Sequence, residues 1–136
     1  MIAEITGIVG QGKHIGRTLG FPTANVVPDD LSLLPPDGIY AALMRAEGIP
    51  GEWLAVVSQG MHPTLPEGGH TVEAYAVGFD GDLYGRRVSL RYMKFLRGEM
   101  LFPSADALAR QIARDRDDAL RWQAEQNALQ SRLPPP

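Results

Sequence analysis

The chain has no cysteine among its 136 residues. That absence excludes a disulfide framework, a thiolate nucleophile and a zinc–thiolate site, so stability cannot hang on redox state. Long apolar runs are missing too, since nothing approaches the ~18 residues of a membrane span. The opening, Met1-Ile-Ala-Glu-Ile-Thr-Gly7, lacks the basic region and apolar stretch of a secretory signal. Basic residues are not in excess: 13 Lys and Arg stand against 16 Asp and Glu, for a formal net charge of -3. Nucleic acid and anionic membrane both call for a basic face, so the expectation is no nucleic acid and no membrane partner. The three histidines, His14, His62 and His70, lack metal-ligand spacing and read as surface or loop residues. No internal repeat of 20 to 50 residues is present. The expectation is a cytoplasmic, single-domain protein spanning 1–136, taken as a monomer and long enough to bury roughly two-thirds of its unfolded surface.

Glycine and proline, by contrast, are plentiful, at 15 and 11. They are spread along the chain, which points to many tight turns between short strands rather than to disorder. Strand candidates are 3–9, a short continuation at Val26 and Val27, Gly38 to Arg45, Trp53 to Ser58, Thr71 to Val77 with period-two alternation, and Arg87 to Phe95. Leu31 to Pro36 reads as irregular, because Pro35-Pro36 excludes a helix and a central strand. The C-terminal third changes period. Ser104 is placed to cap a helix over about 105–130, with Ala105, Leu108, Ile112, Ala119 and Trp122 at helical spacing. Its polar face carries Arg110, Asp115, Arg116 and Asp117, and residues 131–136 form a tail. About six short strands followed by one amphipathic helix predict a mainly β protein, a small antiparallel barrel with the helix packed against it. A parallel α/β fold is excluded by the lack of helices between strands.

Several segments carry chemistry. The stretch Gly10-Gln-Gly12-Lys13-His-Ile-Gly16-Arg17 offers glycines and fixed cations that suit a phosphate cradle. It does not match Walker A spacing, and a plain hairpin loop with solvated charges is the alternative. Thr23 and Asn25 lie two apart after Pro22, so in an extended segment they share a side. A hydroxyl and an amide oxygen are hard donors suited to Mg²⁺, though turn capping uses the same residues. Glu73, mid-strand between Val72 and Ala74, suits a general base toward a substrate hydroxyl, or else a solvated strand face. Arg86, Arg87, Arg91, Lys94 and Arg97 form a basic run that faces either an anion or solvent.

Taken in order, these segments resemble the riboflavin kinases (flavokinases). The resemblance rests on Gly16-Arg-Thr-Leu-Gly-Phe-Pro-Thr-Ala-Asn25, Leu34-Pro-Pro-Asp-Gly-Ile-Tyr40, Val56-Val-Ser-Gln-Gly-Met-His-Pro-Thr64, Val72-Glu-Ala-Tyr75, Phe79-Asp-Gly-Asp-Leu-Tyr-Gly85, Phe95-Leu-Arg-Gly-Glu99 and the helix with Gln111-Ile-Ala-Arg-Asp115. It implies a six-stranded antiparallel Greek-key barrel with a C-terminal helix. The activity it implies is transfer of the ATP γ-phosphoryl group to the ribityl 5'-hydroxyl of riboflavin, giving FMN and ADP with Mg²⁺ or another divalent cation. By the same resemblance Glu73 is the catalytic residue, and Thr23 and Asn25 hold the metal and phosphates. Gly10, Gly12, Lys13, Gly16 and Arg17 lie over the nucleotide, while Arg97 and Tyr84 lie on the flavin side. Bacterial members commonly carry an adenylyltransferase domain ahead of the kinase barrel; this sequence begins almost at the first strand, so it is not expected to make FAD. It also departs from the bacterial pattern at Ser58-Gln59, Leu65 and Gly78. The alternative from another class is a non-catalytic flavin- or nucleotide-binding regulatory barrel.

Overall fold

A computed structural model of the chain describes residues 1–10, 20–61 and 70–132. Of the expected site residues, Gly12, Lys13, Gly16 and Arg17 lie outside the described residues, as do His14, His62 and Leu65. Among the described residues, six strands form one closed antiparallel barrel. They are β1 (Ala3–Gly10), β2 (Ala24–Pro28), β3 (Gly38–Ala46), β4 (Ile49–Gly60), β5 (Thr71–Ala76) and β6 (Arg87–Arg97), followed by helix α1 (Ala105–Ser131). Around the barrel the order is β1-β2-β5-β4-β3-β6, so β5 is inserted between β2 and β4. A single turn of 3₁₀-helix, Leu31–Leu33, sits in the stretch expected to be irregular, with the Asp30 carboxylate accepting from Ser32 N.

Alternation along the strands fills the interior. Ile5 and Val9 of β1, Val26 of β2, Tyr40, Ala42 and Met44 of β3, Val57 of β4, Val72 and Ala74 of β5, and Val88, Leu90 and Tyr92 of β6 are buried in one cluster. A second cluster lies on the outside of the barrel, where Ile39, Ala41, Leu54 and Val56 meet Ala119 of α1, flanked by Leu43, Tyr75, Val77, Leu96 and Trp122. β3 is therefore covered on both faces, which is why Gly-Ile-Tyr-Ala-Ala-Leu-Met shows no polar alternation. The Ser104 hydroxyl accepts from Ala107 N at 3.1 Å and caps α1 as expected.

The ends of several strands differ from the sequence expectation. β4 begins at Ile49, four residues early, because Ala46 pairs with Ile49 across a two-residue turn at Glu47-Gly48, with Gly48 at φ +81°. β6 runs on to Arg97, pairing with Ile39 through two register shifts. A polar group also enters the core. Gln59 is buried, accepting from the Tyr92 hydroxyl at 2.8 Å and donating to Pro35 O at 2.7 Å and to the Asp37 carboxylate at 3.1 Å. Every polar atom of that amide therefore has a partner, which offsets the cost of burying it.

Candidate active site

The register of the barrel lays the chemistry-bearing residues in one transverse row. Gly10 pairs with Asn25, Asn25 with Glu73, Glu73 with Ser58, Ser58 with Ile39, and Ile39 with Arg97. Cross-strand partners share a face, and adjacent strands are about 4.8 Å apart. Val26, Val72, Ala74 and Val57 point inward. By alternation Asn25, Glu73 and Ser58 therefore point outward, on the part of the barrel wall beside the helix. Asn25 and Glu73, 48 positions apart in sequence, become direct neighbours because β5 pairs with β2.

Thr23 stands one alternation ahead of Asn25 at the barrel mouth. Its segment is held from two sides. The Phe21 ring packs edge-on against Tyr75 of β5, with centroids 5.5 Å apart, and the Arg116 guanidinium of α1 lies 5.9 Å from its centroid. Sequence reasoning assigned neither Phe21 nor Arg116 a supporting role; the position of Phe21 beside Pro22-Thr23 was the available signal.

A cleft of about 280 Å³ opens beside Thr23 and Gly10. Its apolar floor is Val9, Ala74 and Ala76, and its far wall is the loop from Phe79 to Tyr84, including Asp80 and Asp82. That loop is pinned by backbone bonds from Gly85 N to Val9 O at 2.8 Å and from Val9 N to Arg86 O at 2.9 Å. The Phe79 ring is braced by Trp53, with centroids 5.0 Å apart, and Asp82 accepts from Tyr84 N at 2.9 Å. Tyr84, expected beside the flavin together with Arg97, lines the cleft with Thr23 and Gly10 just before the start of β6, while Arg97 closes the far end of that strand.

Arg97 is fully engaged. Its Nε and Nη2 donate to the two oxygens of Asp115 at 2.9 and 2.8 Å, its Nη1 donates to Gly98 O at 3.0 Å, and its guanidinium lies 5.7 Å from the Phe102 centroid. Gln111 adds a bond to Asp115 at 3.0 Å. The side chains of Arg97 and Asp115 are 17% and 4% exposed. Asp115 is therefore not on the solvent face of the helix, where spacing alone put it; it lies on the stripe of Ala119 and Trp122, and its partner comes from 18 residues upstream.

From Arg97 the chain turns back over the row. Gly60 has φ +150°, and a Cβ there would fall 1.9 Å from a carboxylate oxygen of Glu99. The Glu99 carboxylate occupies the place of a side chain at position 60, next to Thr71, the cross-strand partner of Gly60. Carboxylates thus reach the outer face at Glu73 and, one alternation along, at Glu99.

Among the described residues no three His, Cys, Asp or Glu side chains gather into a metal-binding group. Thr23 and Asn25 carry neutral oxygens, a set that would suit a Mg²⁺ arriving with phosphates and keeping part of its water, rather than one caged by protein.

Comparison with known proteins gives a consistent result. A family profile described as flavokinase, riboflavin kinase, matches residues 2–123. The bifunctional riboflavin kinase/FMN adenylyltransferase of Bacillus subtilis is 35% identical over 122 residues, covering 87% of this chain and 38% of that protein. Its Escherichia coli counterpart is 39% identical over 114 residues, covering 82% of this chain and 35% of that one. The chain thus spans little more than a third of these curated relatives. The crystal structure of riboflavin kinase from Trypanosoma brucei superposes with a TM-score of 0.68 at 25% identity, covering 94% of this chain and 80% of that one. Among the described residues no helix is long and apolar enough to cross a membrane.

Proposed function

The chain belongs to the riboflavin kinase family, and we propose on that premise that it transfers the γ-phosphoryl group of ATP to the 5'-hydroxyl of riboflavin. The observation that carries this reading is the row Gly10–Asn25–Glu73–Ser58, which sets a carboxylate beside the amide, with Gly10 common to the row and to the cleft beside Thr23. The cleft beside Gly10 and Thr23 takes the nucleotide, with Tyr84 and the Phe79–Tyr84 loop along its wall. Gly12, Lys13, Gly16 and Arg17 cover the phosphates. Thr23 and Asn25 supply oxygens to Mg²⁺, whose chemistry when bound is to neutralise phosphate charge.

Glu73 orients the ribityl hydroxyl and takes its proton as the oxygen attacks. A bond forms from that oxygen to the γ-phosphorus, the bond from phosphorus to the β–γ bridging oxygen breaks, and ADP leaves. The sheet contributes by fixing geometry, because neighbouring ladder positions hold Asn25 and Glu73 side by side. Arg97 serves the acceptor side by holding the segment that carries Glu99, as its engagement with Asp115 and Gly98 supports. The unit acts as a monomer.

The test is product chromatography of the purified chain with riboflavin, ATP and Mg²⁺. FMN and ADP are expected in equal amounts, and Glu73→Gln should lower kcat by about 10²–10⁴. Flavin binding with no turnover would sink the kinase reading and leave a regulatory barrel in its place. A Glu73→Gln enzyme at near-wild-type rate would sink the assignment of the base.

A further inference from the structure

Among the described residues, one buried side-chain polar atom has no hydrogen-bond partner: the hydroxyl oxygen of Thr71. Its position is specific. Thr71 opens β5, two residues before Glu73 and on the same outward face, since Val72 between them points into the core. Across the ladder stands Gly60, and the space a side chain there would fill holds the Glu99 carboxylate. Thr71 therefore stands at a ladder position flanked by Glu73 along the strand and by Glu99 across it. A buried hydroxyl without a partner destabilises a fold, and natural proteins keep few of them. It offers one proton and two lone pairs, so it can serve a ligand group that donates or accepts.

We propose that Thr71 is an acceptor-binding residue, whose hydroxyl takes a hydrogen bond from, or gives one to, a second polar group of the polyol substrate while Glu73 engages the reacting hydroxyl. This rests on the kinase reading above and adds a residue to it. Two residues along a strand span about 6.7 Å, so Thr71 meets the substrate several atoms away from the transferred phosphoryl group. A contact that far from the reaction is equally strong in ground and transition states. It lowers KM and leaves kcat alone.

Thr71→Val keeps the shape and removes the hydroxyl, which yields two opposite effects. Tm should rise by a few degrees, because an unsatisfied polar atom is gone. KM for riboflavin should rise about five- to tenfold, the size of one neutral hydrogen bond, with kcat and KM for ATP unchanged. Thr71→Ser, which restores a hydroxyl, should return KM for riboflavin toward the wild-type value. Thr71→Ala also removes the hydroxyl and should raise KM for riboflavin by a similar factor. If wild-type chain makes FMN and the Thr71→Val enzyme has an unchanged KM for riboflavin, the inference is overturned and the kinase reading stands. A lower Tm in Thr71→Val overturns it as well, because the hydroxyl would then be satisfied within the fold. If the wild type makes no FMN, the kinase reading fails; riboflavin titration followed by flavin fluorescence then decides Thr71 alone, with weaker binding by the valine variant in its favour and equal binding against.

Discussion

On β3 and β4 both faces of the sheet are covered, whereas the outer face of β2 and β5 is covered only in part, around Tyr75, and carries Asn25, Thr71 and Glu73. The covered side holds the outer cluster of Ile39, Ala41, Leu54 and Val56 under α1, and the Arg97–Asp115 pair closes its rim. The other side gives up apolar burial on its outer face for a row of oxygen-bearing side chains. On the proposed reading one barrel separates two duties: β3, β4 and the helix supply stability, and β2 and β5 present the reacting groups. Substitutions on the two sides should leave different signatures.

The largest effect is expected from Asp115→Ala, which strands a mostly buried guanidinium and should cost about 3–5 kcal/mol, read by urea or thermal unfolding. Replacing both partners, as Arg97→Leu/Asp115→Leu, should recover most of that loss, since apolar side chains can replace a buried ion pair. An Asp115→Ala protein that melts with wild type would break the comparison at its rim. Glu73→Gln should show the reverse pattern, with kcat down at least about 100-fold, some 2.7 kcal/mol of barrel-independent transition-state energy, and Tm within a degree or two of wild type. A Glu73→Gln protein that unfolds easily would move Glu73 into the structural class.

A smaller loss is expected from Tyr92→Phe, which takes the donor from the buried Gln59 oxygen and should cost about 1–2 kcal/mol, measured by denaturant midpoint. The smallest effect is alkaline. Burial raises the Tyr92 phenol above its ordinary pKa, aided by Tyr40 and Asp37, and burial with Asp37 raises Tyr40 as well. The folded state then holds those protons more tightly than the unfolded chain does. Their contribution is complete below about pH 10, the ordinary tyrosine value, and is lost as pH climbs beyond it. Melts from pH 8 to 11 should decline only toward the top of that range, and Tyr92→Phe should flatten the slope. A decline already under way at pH 8 would assign the transition to other groups.

Much of the covered side's architecture was legible along the chain. The strand at Gly38, the cap at Ser104 and the helical spacing through Ala119 and Trp122 are local signals, and they appear where spacing puts them. The hairpin at Glu47-Gly48 was not, because Pro50 and Gly51 interrupt the apolar run that marks β4. Asp115 was read as solvated because helical periodicity reports a residue's face and not its distant partner. On the reactive side, Glu73 was read as a general base or a solvated strand face, and spacing linked Thr23 to Asn25. Their adjacency was invisible for a physical reason. It follows from β5 entering between β2 and β4, a non-local pairing that no window of residues contains. The orphan hydroxyl of Thr71 was equally hidden, since a missing partner is a property of the packed state.

The transverse row also behaves like a reading frame. Each member is placed by counting residues from its ladder partner, and the side-chain period is two, so one residue added to or removed from β5 would turn Glu73 into the core and bring an alanine or valine to the outer face. Length changes in this family of sequences should therefore accumulate between strands and be purged within β2, β4 and β5, even at positions where substitution is harmless. A library of single-codon deletions, scored beside a substitution library, would show that asymmetry as a sharp boundary at Thr71.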